Sequence, residues 1–283
     1  LARARAAPHN PPMRARAVGL MLLVSAGSAC SPKNDRPETA SQACDSGGCA
    51  KPGPGGGGGG TSGDGGLDAA SDASGDAAAG VTVTGSIVEL TGDDFFNAVP
   101  FTAAATVSLE GAAGLAVEGA YNGSVFTVEG AKDGPGVWAT VTPSKVGVVL
   151  PTLQPVDTSA SPLELAVVPA TTLDTIYAFL SIPVQREVGA AHVVVRFLNA
   201  KTGVPVTGVT VAHGTDVVAY DTGGSWSDTA PGTGVAGYAV VVNVSTGKTP
   251  NQQSFKFKAP TASAGVSLWV QPDSVTLADV LVN

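Results

Sequence analysis

The sequence is poor in the residues that most catalytic and metal-binding chemistry needs. Of 283 residues only 3 are cysteine and 3 are histidine, and charged residues make up 13%. The cysteines, Cys30, Cys44 and Cys49, all precede residue 50, so the rest of the chain must fold without disulfides or thiolate-bound metal. These shortages favour a protein that is not an enzyme, and we expect no cofactor and no metal.

The chain also lacks a basic region. Its formal net charge is -8, and every basic residue before Cys30 is one of four arginines in the first 16 positions. A product that begins at Cys30 is therefore more acidic still. Because an acidic surface repels phosphate groups, we expect no nucleic-acid partner.

An export signal can be read from Met13 onward. A positively charged stretch is followed by an apolar run over 17–24 and by small residues over 25–29, directly before Cys30. The apolar run is well short of the roughly 20 residues that span a bilayer. We therefore predict a signal peptide over 1–30, with translation starting at Met13.

The residues around Cys30 resemble the cleavage box of bacterial lipoproteins. Residues 28–30 read Ser-Ala-Cys, although Gly27 stands where Leu is usual, and ordinary secretion with a free or paired Cys30 is the alternative. The resemblance implies that Cys30 is acylated and that the membrane is a partner through this anchor. Ser31 resembles the pattern of lipoproteins that go on to the outer membrane or cell surface.

Residues 31–80 are mostly Gly, Ser, Ala, Asp and Pro, and they predict a disordered tether. Flexible-chain scaling gives such a tether an end-to-end distance of about 40 Å. Cys44 and Cys49 are close enough for a small disulfide, which we favour over a metal site because further ligands are missing. Four evenly spaced aspartates favour a solvated acidic linker over a calcium loop: Asp64, Asp68, Asp72 and Asp76.

After residue 80 the composition changes to Val, Thr and Ala runs separated by turn residues. Segments such as 81–88, 124–128 and 192–197 are short and β-branched, and they predict strands. Only 171–180 comes close to helical spacing. The fold class predicted from this pattern is all-β.

An internal repeat suggests how the strands are divided. Three segments recur in the same order: 99–107 as 204–211, 137–141 as 237–241, and 163–169 as 266–272. We predict two tandem β-sandwich domains of ordinary size. Their predicted bounds are 81–174 and 191–283, with 175–190 as a linker or shared strand.

The second unit resembles the carboxypeptidase regulatory-like, transthyretin-type domain. The matching residues are Thr-Gly-Val-Pro-Val at 202–206, continuing to Val211, and the Gly237-Tyr238 pair. The resemblance implies a passive spacer or interaction module with no catalytic residues. The alternating Phe and Lys of 255–258 predict buried Phe and exposed Lys, which suits an exposed edge strand.

Two alternatives depend on the stretch 220–226. Asp221 begins an Asp-Thr-Gly turn that resembles the active site of aspartic proteases, but that mechanism needs a second carboxylate, which only a dimer could supply. Ser225, His192 and His213 have neither the spacing of a nucleophile with its base nor that of a metal site.

The second alternative is binding of a surface glycan. Trp226 lies in a polar loop beside Tyr220, where an aromatic ring could contact a sugar. We therefore predict a non-enzymatic, lipid-anchored binding or structural module whose glycan or protein partner is unknown. A carbohydrate-binding lipoprotein and a dimeric hydrolase that uses Asp221 are the alternatives.

Overall fold

The computed structural model describes residues 80–92, 95, 97–145 and 147–283, and most of them lie in strands, which confirms the all-β fold class. The strands are β1 (Val81–Thr91), β2 (Asn97–Pro100), β3 (Ala105–Glu110), β4 (Ala116–Tyr121), β5 (Phe126–Ala131), β6 (Pro135–Pro143), β7 (Val149–Leu150), β8 (Thr152–Asp157), β9 (Leu163–Pro169), β10 (Ala191–Asn199), β11 (Thr210–Ala212), β12 (Val217–Asp221), β13 (Trp226–Ser227), β14 (Tyr238–Val244), β15 (Asn251–Lys258), β16 (Ser263–Val270) and β17 (Val275–Val282). An α-helix, α1 (Ala170–Phe179), joins β9 to the segment before β10. Within the described ranges no helix is long and apolar enough to cross a membrane.

The strands β1 to β9 form the N-terminal β region, in which one curled sheet surrounds an apolar core. The strand order is β8-β6-β3-β4-β5-β1-β9-β7, with β2 beside β1. Buried residues alternate with more exposed ones along β3, β6 and the first half of β1, as the period of two in a β-strand requires. The core includes Val83, Ile87, Val107, Phe126, Val141 and Leu165.

The strands β10 to β17 form the C-terminal β region, which is a sandwich of two sheets. A three-stranded sheet, β11-β15-β16, covers one face of β12, β14, β10 and β17. Between the layers lies a second apolar core, which includes Val193, Phe197, Val241, Phe255, Leu268 and Val280.

The two regions share a sheet and a third core. β17 pairs in parallel with β8, matching Val275 with Thr152 and Thr276 with Leu153, so that the larger sheet has 14 strands. The third core lies where α1 and Phe95 meet the C-terminal region. Its members include Phe95, Leu173, Ile176, Val194, Trp226 and Val240.

Each region pairs its first strand in parallel with its last. β1 pairs with β9, and β10 pairs with β17 along eight residues. By topology the counterpart of β9 is therefore β17. The repeat in the sequence instead aligned 163–169 with 266–272, which lies mainly in β16, and β16 pairs antiparallel with β15. That alignment is wrong at this segment, because half-buried strands share one alternating pattern whatever their position in a sheet.

The segment after α1 is held by side chains of the C-terminal region. Residues 180–190 have no regular secondary structure. Four of their backbone N–H groups donate to polar side chains of later strands and turns: Ser181 and Ile182 to Asp228 at 3.0 and 3.4 Å, Glu187 to Asn243 at 3.0 Å, and Gly189 to Asp273 at 2.7 Å. These hydrogen bonds fix the path of the chain between the two regions.

The alternation at 255–258 is confirmed, but its predicted place in the sheet is wrong. Phe255 and Phe257 are buried and Lys256 and Lys258 are exposed. β15 is nevertheless the middle strand of the small sheet, with β11 on one side and β16 on the other. The lysines are exposed because the outer face of this sheet is uncovered, and not because β15 is an edge.

Candidate functional sites

Several predicted residues lie outside the described part of the chain. They are the lipidation residue Cys30, the predicted disulfide pair Cys44 and Cys49, and the four aspartates of the acidic linker at 64, 68, 72 and 76. The predictions on these residues stay predictions.

Asp221 holds a turn together. Its side chain is 2% exposed and accepts three backbone N–H groups, from Gly234 at 3.0 Å, Ala236 at 3.1 Å and Tyr238 at 2.8 Å. Both carboxylate oxygens are thereby engaged with the loop that leads into β14. A Cβ atom at Gly234 would lie 2.6 Å from Oδ1 of Asp221, which explains why glycine occupies that position. The geometry assigns Asp221 to folding of this loop.

The two aromatic side chains that could have contacted a glycan are buried. Tyr220 is 7% exposed; its hydroxyl accepts the N–H of Val211 at 2.9 Å and donates to the carbonyl of the same residue at 3.2 Å. Trp226 is 2% exposed, and its ring meets that of Phe95 edge-on at 5.8 Å. Neither ring presents a face on which a sugar could stack.

His213 belongs to a turn that is tied to the C-terminal core. Its Nδ1 lies 2.7 Å from Oδ2 of Asp216, and its ring stacks on Phe255 with 4.3 Å between centroids. No group of three or more His, Cys, Asp or Glu side chains arranged to hold a metal occurs among the described residues. The contacts of His213 are those of a structural residue.

His192 lies in a polar cluster that joins α1 to the C-terminal region. Its Nδ1 faces the hydroxyl of Tyr177 at 3.5 Å and the backbone N–H of Asn243 at 3.4 Å. The hydroxyl of Tyr177 donates to Oδ1 of Asn243 at 2.6 Å. Burial lowers the pKa of His192 to about 4, with a smaller contribution from the charge of Arg186, and burial raises the pKa of Tyr177.

The depressed pKa of His192 predicts a loss of stability in acid. An unfolded His titrates near 6.5, so the unfolded chain binds more protons than the folded chain below that pH. The free energy of unfolding is therefore unaffected by His192 titration above pH 6.5. It falls by about 3 kcal/mol in total as the pH decreases toward 4. Urea unfolding at pH 7 and pH 4 measures this loss.

The variant His192→Asn isolates the effect, because the amide oxygen can take the place of Nδ1 without titrating. We expect it to remove most of the difference between the two pH values. His213→Asn leaves His192 in place and should keep the difference. An unchanged pH dependence in His192→Asn would contradict the assignment.

A charged cavity at the junction of the two regions was not predicted. Arg196 lies on β10 between Tyr238 of β14 and Asp279 of β17 in the strand register. Its guanidinium carbon is 5.4 Å from the centre of the Tyr238 ring, and its Nε is buried without a hydrogen-bond partner among the described residues. The sequence feature that could have indicated this cavity is Arg196 itself, a single arginine among the mostly apolar residues 191–198.

The surroundings of Arg196 are mixed in character. Burial raises the pKa of the Asp279 carboxyl, and the charge of Arg196 opposes that rise. Apolar side chains such as Leu90 and Phe95 complete a cavity of about 170 Å³. Ligand sites commonly have volumes of roughly 300–1,000 Å³, so this cavity has room for a few waters or a very small solute.

Comparisons with known proteins add little to this geometry. No protein-family model matches the chain, and no curated protein matches it. Among solved structures, the Streptococcal ancillary pilin is 12% identical over 70% of this chain and 61% of its own, with a TM-score of 0.20. The group B streptococcus pilus 2b backbone protein is 11% identical over 69% and 80%, with a TM-score of 0.20.

A third structure, the full-length RrgB pilus protein from Streptococcus pneumoniae, is 10% identical over 72% of this chain and 47% of its own, with a TM-score of 0.18. This chain thus spans less than two thirds of the length of the first and third of these proteins. TM-scores far below 0.5 do not establish a shared fold.

Proposed function

We propose that this chain is a lipid-anchored, extracytoplasmic β module that presents a binding surface and does not catalyse a reaction. The observation that carries the proposal is the use of Asp221, whose two oxygens accept three backbone N–H groups inside the loop before β14. A catalytic aspartate needs a free oxygen facing substrate or water. The side chain with the strongest sequence resemblance to an active site thus serves the fold.

The connection between the two β regions supports a structural role. The shared sheet, the third core and the hydrogen bonds along 180–190 all join the N-terminal region to the C-terminal region. Such a module can hold a surface of the C-terminal region at a fixed position relative to the N-terminal region. The signal pattern before Cys30 and the Gly-rich segment 31–80 supply the proposed attachment.

The lipid anchor is tested by intact mass spectrometry of the chain extracted from membranes of an expressing Gram-negative host. We expect a mature species that begins at Cys30 and carries added acyl mass, because a lone Cys after small residues is the acylation site in such signals. The variant Cys30→Ala should lose the acyl mass and its membrane association. Cys44→Ala, the matched control, should keep both. An unlipidated, soluble wild-type product would overturn the anchor.

A further inference from the structure

One long strand of the small sheet has an open edge. In the turn between β15 and β16, Ala259 and Ala262 exchange both backbone hydrogen bonds, N to O, at 2.7 and 3.4 Å. In an antiparallel pair, hydrogen-bonded and non-hydrogen-bonded positions alternate. The even-numbered residues of β16 therefore bond to β15, and the odd-numbered residues direct their N–H and C=O groups away from it.

Three consecutive outward positions of this edge are Ser263, Gly265 and Ser267. All three are exposed, and none has a backbone hydrogen bond outside the strand ladder among the described residues. The next outward position is Trp269, whose carbonyl accepts the hydroxyl of Thr276 at 2.6 Å. The open edge thus extends from Ser263 to Ser267 and carries only small, uncharged side chains.

Proteins usually protect an edge of this kind. The described ends of the larger sheet are the two-residue strands β13 and β7, and the other edge of the small sheet is the three-residue strand β11. Short edges are a common protection against unwanted pairing, as are charges and prolines on the edge itself. β16 has eight residues and none of these protections, so it is a ready template for an added strand.

Positive charge lies one strand away from the open edge. Lys256 is opposite Gly265, and Lys258 is opposite Ser263. Both lysines are exposed, and neither forms an ion pair among the described residues. A shallow groove of about 520 Å³ crosses this face from β11 to β16.

The small residues of β16 leave the path from the lysines to the edge open. Adjacent strands are about 4.8 Å apart, so a strand added beside β16 would lie about 10 Å from β15. A long acidic side chain on that strand and a lysine side chain on β15 can meet above Gly265, which has no side chain to intervene. Every second residue of the added strand would face the lysines.

We propose that β16 binds an extended acidic segment of a partner protein as a fourth strand of the small sheet, with carboxylates at alternate positions paired to Lys256 and Lys258. This inference rests on the proposed function and supplies its partner class. The β16 edge of a second copy would bind less tightly than an acidic segment, because β16 contains no acidic residue and two copies would bring four lysines to one face. The backbone pairing gives affinity and the lysines give selectivity.

The test uses the full chain in detergent and a fluorescein-labelled peptide, Thr-Glu-Val-Glu-Val-Glu-Thr, with its Gln counterpart as the charge control. Binding is followed by fluorescence anisotropy and by amide hydrogen exchange. We expect the Glu peptide to bind at least tenfold more tightly than the Gln peptide. Exchange should slow at Ser263, Gly265 and Ser267, while the amides of Ala264 and Val266, already in the ladder, change little.

Matched variants separate backbone pairing from charge. Gly265→Pro removes one edge N–H at a position that makes no ladder bond, and should weaken binding at least tenfold. Gly265→Ala keeps that N–H and should bind as the wild type does. Lys256→Gln combined with Lys258→Gln should abolish the preference for Glu, and Lys145→Gln, at an exposed position of the N-terminal region, should preserve it. The double variant of Lys256 and Lys258 tests the proposal even if the Gly265→Pro variant does not fold.

Four outcomes would overturn the proposal. Equal affinity for the two peptides would remove the role of charge, and unchanged exchange at the three edge amides would remove strand addition. Edge amides that are already slow in a monomeric free chain would make the chain's own acidic segment the occupant. Concentration-dependent slowing would make it a second copy. None of these readouts depends on acylation, so failure of the lipid anchor is distinguishable from failure of this site.

Discussion

Replacing Asp221 by alanine is expected to lower the free energy of unfolding by about 3–5 kcal/mol, because three buried N–H groups lose a charged acceptor at once. Water can reach the vacated position only in part, since the side chain is 2% exposed. Urea denaturation followed by far-UV circular dichroism measures the change. The same variant is a test for enzymatic activity: loss of a peptide-cleaving activity without loss of stability would revive the hydrolase alternative.

Two control variants sharpen this result. Asp221→Asn keeps one acceptor oxygen and should cost about half as much. Asp174→Ala removes an exposed aspartate of α1 that lies 4.0 Å from Nε of Arg186, and should cost less than about 1 kcal/mol. Equal stability of Asp221→Ala and Asp174→Ala would show that the loop before β14 does not depend on the buried carboxylate.

Replacing Phe126 by alanine is expected to cost about 3–5 kcal/mol, since it removes one of the buried aromatic side chains in the core of the N-terminal region. Phe126 is 1% exposed and pairs with Gly85 across β1 and β5. A Cβ atom at Gly85 would lie 2.6 Å from the ring. The Phe126 ring therefore occupies the space beside Gly85 that a side chain at position 85 would need. The same contact thus requires Gly at position 85 and a large ring at position 126. The measurement is again urea denaturation.

The matched control is Phe179→Ala at the end of α1, where the side chain is 42% exposed, and it should cost under about 1 kcal/mol. Gly85→Ala should be destabilising even in the Phe126→Ala background, because the carbonyl oxygen of Leu163 also blocks a Cβ there. Similar losses for Phe126→Ala and Phe179→Ala would contradict the described core.

Local patterns were sufficient to predict many of the strands. Short β-branched segments predicted strands at 81–88, 124–128 and 192–197; β1 and β10 contain the first and the last of these segments, and β5 overlaps the second. The near-helical spacing of 171–180 marks the place of α1. These features depend on short-range periodicity, which a single sequence displays directly.

Long-range pairings could not be predicted in the same way. The parallel contact of β17 with β8 joins residues more than a hundred positions apart, and two registered pairs leave no local trace in the composition. Trp226 stands in a polar, Gly-rich stretch that is typical of an exposed loop, yet Phe95 and the third core cover it. Its burial depends on a distant segment. The role of Asp221 had a local signal, an Asp before a Gly-rich turn, which is the usual place for a side chain that accepts backbone N–H groups.

The parallel pairing of β1 with β9 has a mechanical consequence for a protein that is held from its N-terminal side. A pull on the chain at Val81 that runs along the axis of β1 acts on a strand that is paired with β5 on one flank and with β9 on the other. The ladder hydrogen bonds lie across that direction, so β1 can leave only by sliding past both neighbours while many bonds break together. A load in that direction would therefore act on the N-terminal region in shear, the geometry in which a β-sheet resists extension most strongly.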